Sequence, residues 1–578
     1  MSDRQVDVAI VGGGPVGLTA ALLLGRLGIP CALFERNAST SFHPRGHVVN
    51  ARSMEIFRQV GVEEAINAAS LPLERHAGIG FAVSLAGEEI GRIITRGEAE
   101  QDRLERSWSP VLKRSCPQDM LEPILKQRAE ACHASSLRFG VEVTSLRDVG
   151  DAVLLSWQSL DGGEGSCRAR YVIGADGARS FVREAAGIPM QGRSMGQQIG
   201  VYFHADLYRL IEDRPFLLWW IYNARTTGVL ISLDGRYRWT YNFPYQEDES
   251  RHDFTEARCL ERVRAAIGDP NIDIRIDSIV PWRMQARIAD SLRSGRVFLA
   301  GDAAHPLPPT GGQGMNTGIG DVHNLAWKLN LVLKGLAPDS LLDSYQEERL
   351  PVARFNVRQS ARNAEKMAAA GLSGILAADR AVTSAIEGPQ GAEIKARLAA
   401  AIPAQRGHFD YPGQTFGYTY ASSILAGDGL ADADHVVETY TPSGAPGHRA
   451  PHFWIVKGGA RISSIDLFPP GALTVLTGRG GAAWADAFRH AAQVMQLAGN
   501  AYVLDAAPDL RADHPDWLAL YGITDQGAVL VRPDGHVAWR CVADAENPQA
   551  AMFNALERAC GLGIETEDRW ITNQDMSA

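Results

Sequence analysis

The sequence predicts an α/β protein in three parts: a parallel-sheet unit, a mainly-β unit inserted into it, and a second α/β unit at the C-terminal end. Three observations predict this. Residues 6–11 form a short apolar, β-branched run that passes through a glycine-rich turn into helix-forming sequence. Two further apolar runs, at 171–174 and 297–300, end in acidic-glycine turns that also open helices. Between these two lies an aromatic segment with period-2 spacing, the mark of a sheet rather than a helix. At 578 residues, against roughly 150 for an average domain, the chain has room for such an arrangement. Its 45% hydrophobic and 21% charged residues exclude a disordered or fibrous chain.

The first turn reads Gly12-Gly13-Gly14-Pro15-Val16-Gly17, and a second apolar run, 31–34, ends on Glu35-Arg36. G-x-G-x-x-G between strand and helix, with an acid 18 residues after the last glycine, is a dinucleotide site. Gly12 makes the tight turn, Gly14 admits a pyrophosphate, and Gly17 lets helix and strand close up. Pro15 starts the helix, whose N-terminus faces the phosphates, and Glu35 is placed to accept from ribose hydroxyls. The motif does not identify which dinucleotide binds. No second G-x-G-x-x-G occurs, which disfavours a reductase with two such folds.

The second turn is Ala175-Asp176-Gly177-Ala178-Arg179-Ser180 and the third is Gly301-Asp302-Ala303-Ala304-His305, followed by residues 306–316, Pro-Leu-Pro-Pro-Thr-Gly-Gly-Gln-Gly-Met-Asn. In this order and spacing the three motifs resemble those of the single-component FAD-dependent aromatic hydroxylases. The similarity is to the phenol hydroxylase-like branch, and residues 44–55 and 320–328 resemble it too. The resemblance implies a discontinuous Rossmann-type FAD domain (1–75, 105–190 and 281–400) and a substrate-binding β-sheet domain (76–104 and 191–280). It also implies a thioredoxin-like domain (401–578), which lacks CxxC here and so offers no disulfide exchange.

The resemblance also implies roles. FAD's ADP half falls to Gly12, Gly14, Gly17 and Glu35, flavin or ribityl contacts to Arg45 and Gln118, and the ribityl chain to Asp302. Gly314, Met315 and Asn316 start the helix beside the isoalloxazine, where bare N–H groups and the helix dipole stabilise negative charge on reduced flavin. Pro309 lines the reactive face. His47 sits where the family places a group that accepts the phenol proton, with an ordinary pKa near ~6.5. The alternative is a histidine that only bonds a loop carbonyl. His305 fits the scaffold of its loop.

Trp239, Tyr241, Phe243 and Tyr245 share one parity and so one sheet face, with residues 216–222 expected as the partner strand. Trp220, Tyr222 and Tyr241 are the candidates for touching a flat substrate; the alternative is an ordinary sheet core. The reaction implied is NAD(P)H-driven reduction of FAD, O₂ uptake, and transfer of one oxygen from a flavin hydroperoxide to a phenolic ring. Baeyer–Villiger or epoxidation chemistry on a polyketide, and an aromatic-binding flavoprotein without oxygenase activity, are the rival readings.

A net charge of −10 and the absence of basic runs argue against nucleic acid. The apolar stretch 8–25 is broken by glycines and preceded by Asp3 and Asp7, so neither a signal peptide nor a membrane span is expected. The seven cysteines are dispersed, which points to reduced thiols, no metal site and a cytoplasmic location. A homodimer is expected, through the C-terminal unit.

Overall fold

The computed structural model describes residues 4–97, 99–245, 249–372, 380–427 and 436–562. Its first sheet has eight strands. Strand Arg4–Val11 lies at the centre, parallel to Glu164–Gly174 on one side and Cys31–Glu35 on the other. Val297–Leu299 and Ser135–Phe139 extend the parallel set outward. Central residues Val8, Ala9 and Ile10 are fully buried, as strands covered on both faces must be. Helix Pro15–Arg26 packs against helices Gly314–Leu333 and Gln118–Glu130. Its Leu18, Leu22 and Leu24 are fully buried, each worth roughly 1.5–3 kcal/mol over exposure.

The parallel order brings the C-terminal ends of strands Arg4–Val11, Glu164–Gly174 and Val297–Leu299 side by side. The three motif turns begin at those ends, so the topology alone gathers them along one edge.

The second sheet has seven strands. In spatial order they are Arg275–Ala289, Met190–His204, Arg238–Tyr245, Thr227–Ser232, Leu218–Tyr222, Gly78–Ala82 and Glu89–Ile94. Thr227–Ser232 therefore separates Arg238–Tyr245 from Leu218–Tyr222, which were expected to pair directly; a hairpin uses the nearest strand first. The expected boundaries at 190/191 and 280/281 fall inside the long strands Met190–His204 and Arg275–Ala289. Both strands belong wholly to this second sheet, and the chain enters it after helix Phe181–Ala185 and leaves it by the short turn between Ala289 and Arg293.

Near the C-terminal end a four-stranded sheet runs Gly499–Val503, Leu473–Thr477, Ala528–Val531, Val537–Cys541, with only the first pair parallel. Helices Ala482–Val494 and Pro548–Ala559 pack together beside it, a thioredoxin-like arrangement. This unit is locked to the first by buried charge. Arg449 pairs with Glu55 of helix Ala51–Gln59, and Arg532 pairs with Glu348 of helix Asp343–Ala369. All seven cysteines are free thiols. Among the described residues no cluster could hold a metal, and no helix is long and apolar enough to cross a membrane.

Candidate active site

The three turns pack on one another. Gly12 has φ +109°, and a Cβ there would lie 2.3 Å from the Ala175 carbonyl oxygen, against the turn that carries Asp176. A Cβ on Gly17 would lie 2.0 Å from the Gly12 oxygen, so this turn tolerates only glycine at either position. Val16 in turn packs on Gly301 and Gly318. Gly14 differs: it caps the helix without a side chain, and a Cβ there would meet nothing closer than Glu122 at 4.0 Å. Open space therefore faces the orphan N–H groups of the helix that starts at Pro15, the arrangement a pyrophosphate requires.

Glu35 accepts from the Gly13 N–H at 2.6 Å and from the Asn37 N–H at 2.9 Å, which aims its carboxylate across the turn; Arg36 beside it is exposed. Asp176 is instead used up locally, accepting from Ser180 at 2.5 Å and the Val182 N–H at 3.0 Å. Asp302 keeps accessible surface although protein surrounds much of it. Burial raises its pKa, partly offset by His305 and Arg45. Among the described residues no side chain donates to it, which leaves its oxygens for sugar-like hydroxyls. His305 belongs to the scaffold: its Nε2 bonds Asp321 at 2.7 Å, and Asp321 also accepts from the Gly301 N–H at 3.0 Å.

Residues 311–316 form the other wall. Gly311 and Gly312 have φ +96° and +62°, and helix Gly314–Leu333 begins without a side-chain cap. Asn316 accepts from the Asn50 N–H at 2.9 Å and donates to the Val48 carbonyl at 2.9 Å, pinning the loop that carries His47 to this helix start. Gly46 accepts from the Gln118 N–H at 2.8 Å, and the Gln118 side chain donates to Glu122 at 2.6 Å. Arg45 and Pro309 are exposed and Met315 is half-buried. A FAD with its ADP half at Gly12–Gly17, ribityl chain at Asp302 and ring beside Gly312–Asn316 fits these groups.

His47 shares a hydrogen bond with Ser115 Oγ at 3.1 Å. Burial lowers its pKa to about 4. The imidazole is therefore neutral near pH ~7 and a weak proton acceptor there, in place of the general base titrating near ~6.5 that the sequence suggested.

The three aromatic candidates sit in packed cores. Tyr241, with Trp239, Phe243 and Tyr245, faces helix Glu256–Ile267 and packs on Cys259, Val263 and Ala266; its hydroxyl pairs with Thr226 at 2.6 Å. Trp220 and Tyr222 lie on the opposite face, under Met367, Leu372 and Leu398, and the Tyr222 hydroxyl donates to the Leu372 carbonyl at 3.1 Å. The aromatic stripe is a core, because large rings gain most where they are driest. The register Trp220–Val229–Asn242 leads along that opposite face to Asn242, which a Cβ on Gly200 would meet at 3.0 Å, with His43 and Trp282 each at 3.5 Å. Asn242 was legible only as the polar residue between Tyr241 and Phe243. His76, Arg96 and Lys113, which lie near His47, carried no sequence signal.

Residues 5–360 match the family described as FAD binding domain, and 443–562 match that described as aromatic-ring hydroxylase, C-terminal. The chain belongs to the FAD-dependent aromatic-ring hydroxylases. It is thus a flavoprotein monooxygenase whose cofactor is FAD. Among its relatives, aklavinone 12-hydroxylase of Streptomyces purpurascens is 35% identical over 96% of this chain and 99% of its own length. The 2,4-dichlorophenol 6-monooxygenase of Delftia acidovorans is 32% identical over 96% and 98%. The flavin-dependent monooxygenase PieE, solved with FAD and substrate, superposes with a TM-score of 0.88 at 34% identity, covering 96% of this chain and all of that one. Aklavinone-11 hydroxylase, solved with FAD and aklavinone, gives 0.83 at 33%, covering 97% and all of that chain.

Proposed function

We propose that this hydroxylase adds one oxygen to the phenolic ring of a planar aromatic compound, with NAD(P)H as reductant and O₂ as oxygen source. A polycyclic aromatic of the polyketide class is the favoured substrate, supported by the relatives named for aklavinone. The observation that carries the reading is the meeting of three turns from adjacent parallel strands around an Asp302 carboxyl that has no donor of its own.

Bound FAD supplies hydride acceptance and oxygen activation; the chain supplies placement and dryness. Gly12, Gly14 and Gly17 with the Pro15 helix start would hold the diphosphate, Glu35 the ribose, and Asp302 the ribityl hydroxyls. Backbone N–H groups at Gly314 and Met315 would stabilise negative charge at the pyrimidine edge of the bound flavin. Pro309, exposed beside this loop, would present a face without an N–H donor next to the bound flavin. Asn316 fixes the 47–50 loop, and His47 offers a neutral nitrogen to the substrate hydroxyl. The reading extends to a cytoplasmic homodimer, checked by light scattering of the purified protein.

Purified protein supplied with NADPH or NADH, O₂ and a panel of monocyclic and polycyclic phenols tests the proposal. Substrate-stimulated oxidation with a one-oxygen mass gain on the ring is expected. Oxygen inserted into a ketone or lactone, or no stimulated oxidation across the panel, refutes it.

A further inference from the structure

Resting on the proposed placement of the ribityl chain at Asp302, we infer that Arg349 is a positioning residue for the flavin, through which the docking of the C-terminal unit sets how firmly the cofactor is held. Arg349 lies in helix Asp343–Ala369, outside every motif turn, and is only 1% exposed. Its planar guanidinium spreads its donors over three partners. Nε donates to Asp321 at 2.8 Å, Nη2 to the Thr317 carbonyl at 2.9 Å, and Nη1 to the Tyr420 hydroxyl at 3.2 Å.

Two of these partners set the walls of the flavin site. Asp321 accepts from the Gly301 N–H at 3.0 Å and bonds His305 Nε2 at 2.7 Å, both through Oδ2. Gly301 and His305 bracket Asp302, so one carboxylate oxygen fixes both ends of the turn that presents it. Burial pushes the Asp321 carboxyl up, but His305 and Arg349 overcome it and hold the pKa at about 2, so the group stays ionised near pH ~7. Thr317 lies in the first turn of helix Gly314–Leu333, whose start forms the other wall. Gly320 leaves room for the guanidinium: a Cβ there would lie 3.0 Å from Arg349 Nη2.

The third partner is strapped to the C-terminal unit. The Tyr420 N–H donates to the Gly447 carbonyl at 2.9 Å, and the Gly447 N–H donates to the Val537 carbonyl at 2.8 Å. The Tyr420 ring stacks on His536, with centroids 4.1 Å apart, next to strand Val537–Cys541 of the four-stranded sheet. Glu348, the residue before Arg349, pairs with Arg532 of the same unit. Consecutive residues of one helix thus grip both units. A buried guanidinium that loses the Tyr420 oxygen must find another acceptor, and turning toward one loosens its hold on Asp321 and Thr317.

Titration of the full-length apoprotein with FAD, followed by quenching of flavin fluorescence and by visible circular dichroism of the bound ring, tests this. Tyr420→Phe should fold and bind FAD about fivefold more weakly, with an altered flavin dichroism at saturating FAD. Arg349→Met should weaken FAD binding about tenfold or more. Arg349→Met combined with Tyr420→Phe should be no weaker than Arg349→Met alone, because the tyrosine acts only through the arginine. Tyr521→Phe loses a similar bond, to the Pro451 carbonyl at 2.8 Å within the C-terminal unit, and should bind FAD as the parent does. Parent-like affinity and dichroism in Tyr420→Phe, an equal weakening in Tyr521→Phe, or additive effects in the double variant overturn the inference. Asp302→Asn reports separately: unchanged FAD affinity there, with Tyr420→Phe weakened, refutes the ribityl placement and leaves the coupling standing.

Discussion

Arg532→Met removes the cation at the centre of the bond between the C-terminal unit and the helices behind the flavin. The Arg532 guanidinium, with no accessible surface, donates to Glu348 at 2.5 and 2.9 Å and to Asp534 at 3.1 Å. Glu348 also accepts from Lys328 at 2.8 Å and Asn324 at 2.6 Å. Two cations thus balance two carboxylates in a dry site. Burial pushes the Glu348 carboxyl up, but Arg532 and Lys328 overcome it and hold the pKa at about 2, against 4.5 ordinarily. At 1.36 kcal/mol per tenfold, that gap corresponds to roughly 3 kcal/mol of preference for the ionised form. Without Arg532, two buried carboxylates face one ammonium, and a loss of about 3–5 kcal/mol is expected. Urea unfolding followed by release of bound FAD and by near-UV circular dichroism reads this out, with the earliest transition moving to lower denaturant. Arg532→Met combined with Glu348→Met leaves Lys328 facing Asp534, so at least half of the loss should return. A single variant within about 1 kcal/mol of the parent, or a double variant no better than the single, refutes the claim that charge balance holds this interface.

Gly17→Ala should fold poorly and retain no FAD, because its Cβ would lie 2.0 Å from the Gly12 oxygen; bound-flavin absorbance after purification checks it. Tyr241→Phe should cost about 1 kcal/mol through the lost Thr226 bond and leave KM for the substrate unchanged, since the ring faces a helix. Acid should destabilise the protein before its carboxylates titrate. Burial lowers His43, His47 and His536 to about 4 and His323, His408 and His452 to about 3. The unfolded chain therefore binds more protons than the folded one from about pH 6.5 down to those values, and stability falls as pH drops through that window. Thermal melts between pH ~7 and ~5 check the sign, and a Tm that is flat or rises toward acid contradicts it.

How much of this was legible follows from what each signal encodes. The G-x-G-x-x-G turn was readable because backbone geometry forces it: φ +109° at Gly12 and the near-contact at Gly17 exclude every other residue. Parallel order follows from such turns, and with it the convergence of the three loops. The roles expected of Asp302 and Asn316 came from the resemblance of the turns that carry them, not from spacing alone. The aromatic stripe was read to the right period, with an ordinary core and a substrate-facing lid both left open. Alternation says that Tyr241 and Phe243 share a face, but which face meets a helix depends on helix Glu256–Ile267, whose docking no local pattern records. His47 shows the same limit. Its place beside the first motif turns follows from the loop that carries it, but its bond to Ser115 of strand Arg114–Ser115 and the burial that lowers its pKa arise only after distant segments pack. Turn chemistry is thus written locally, while the electrostatics of a site are set by packing that no local pattern records.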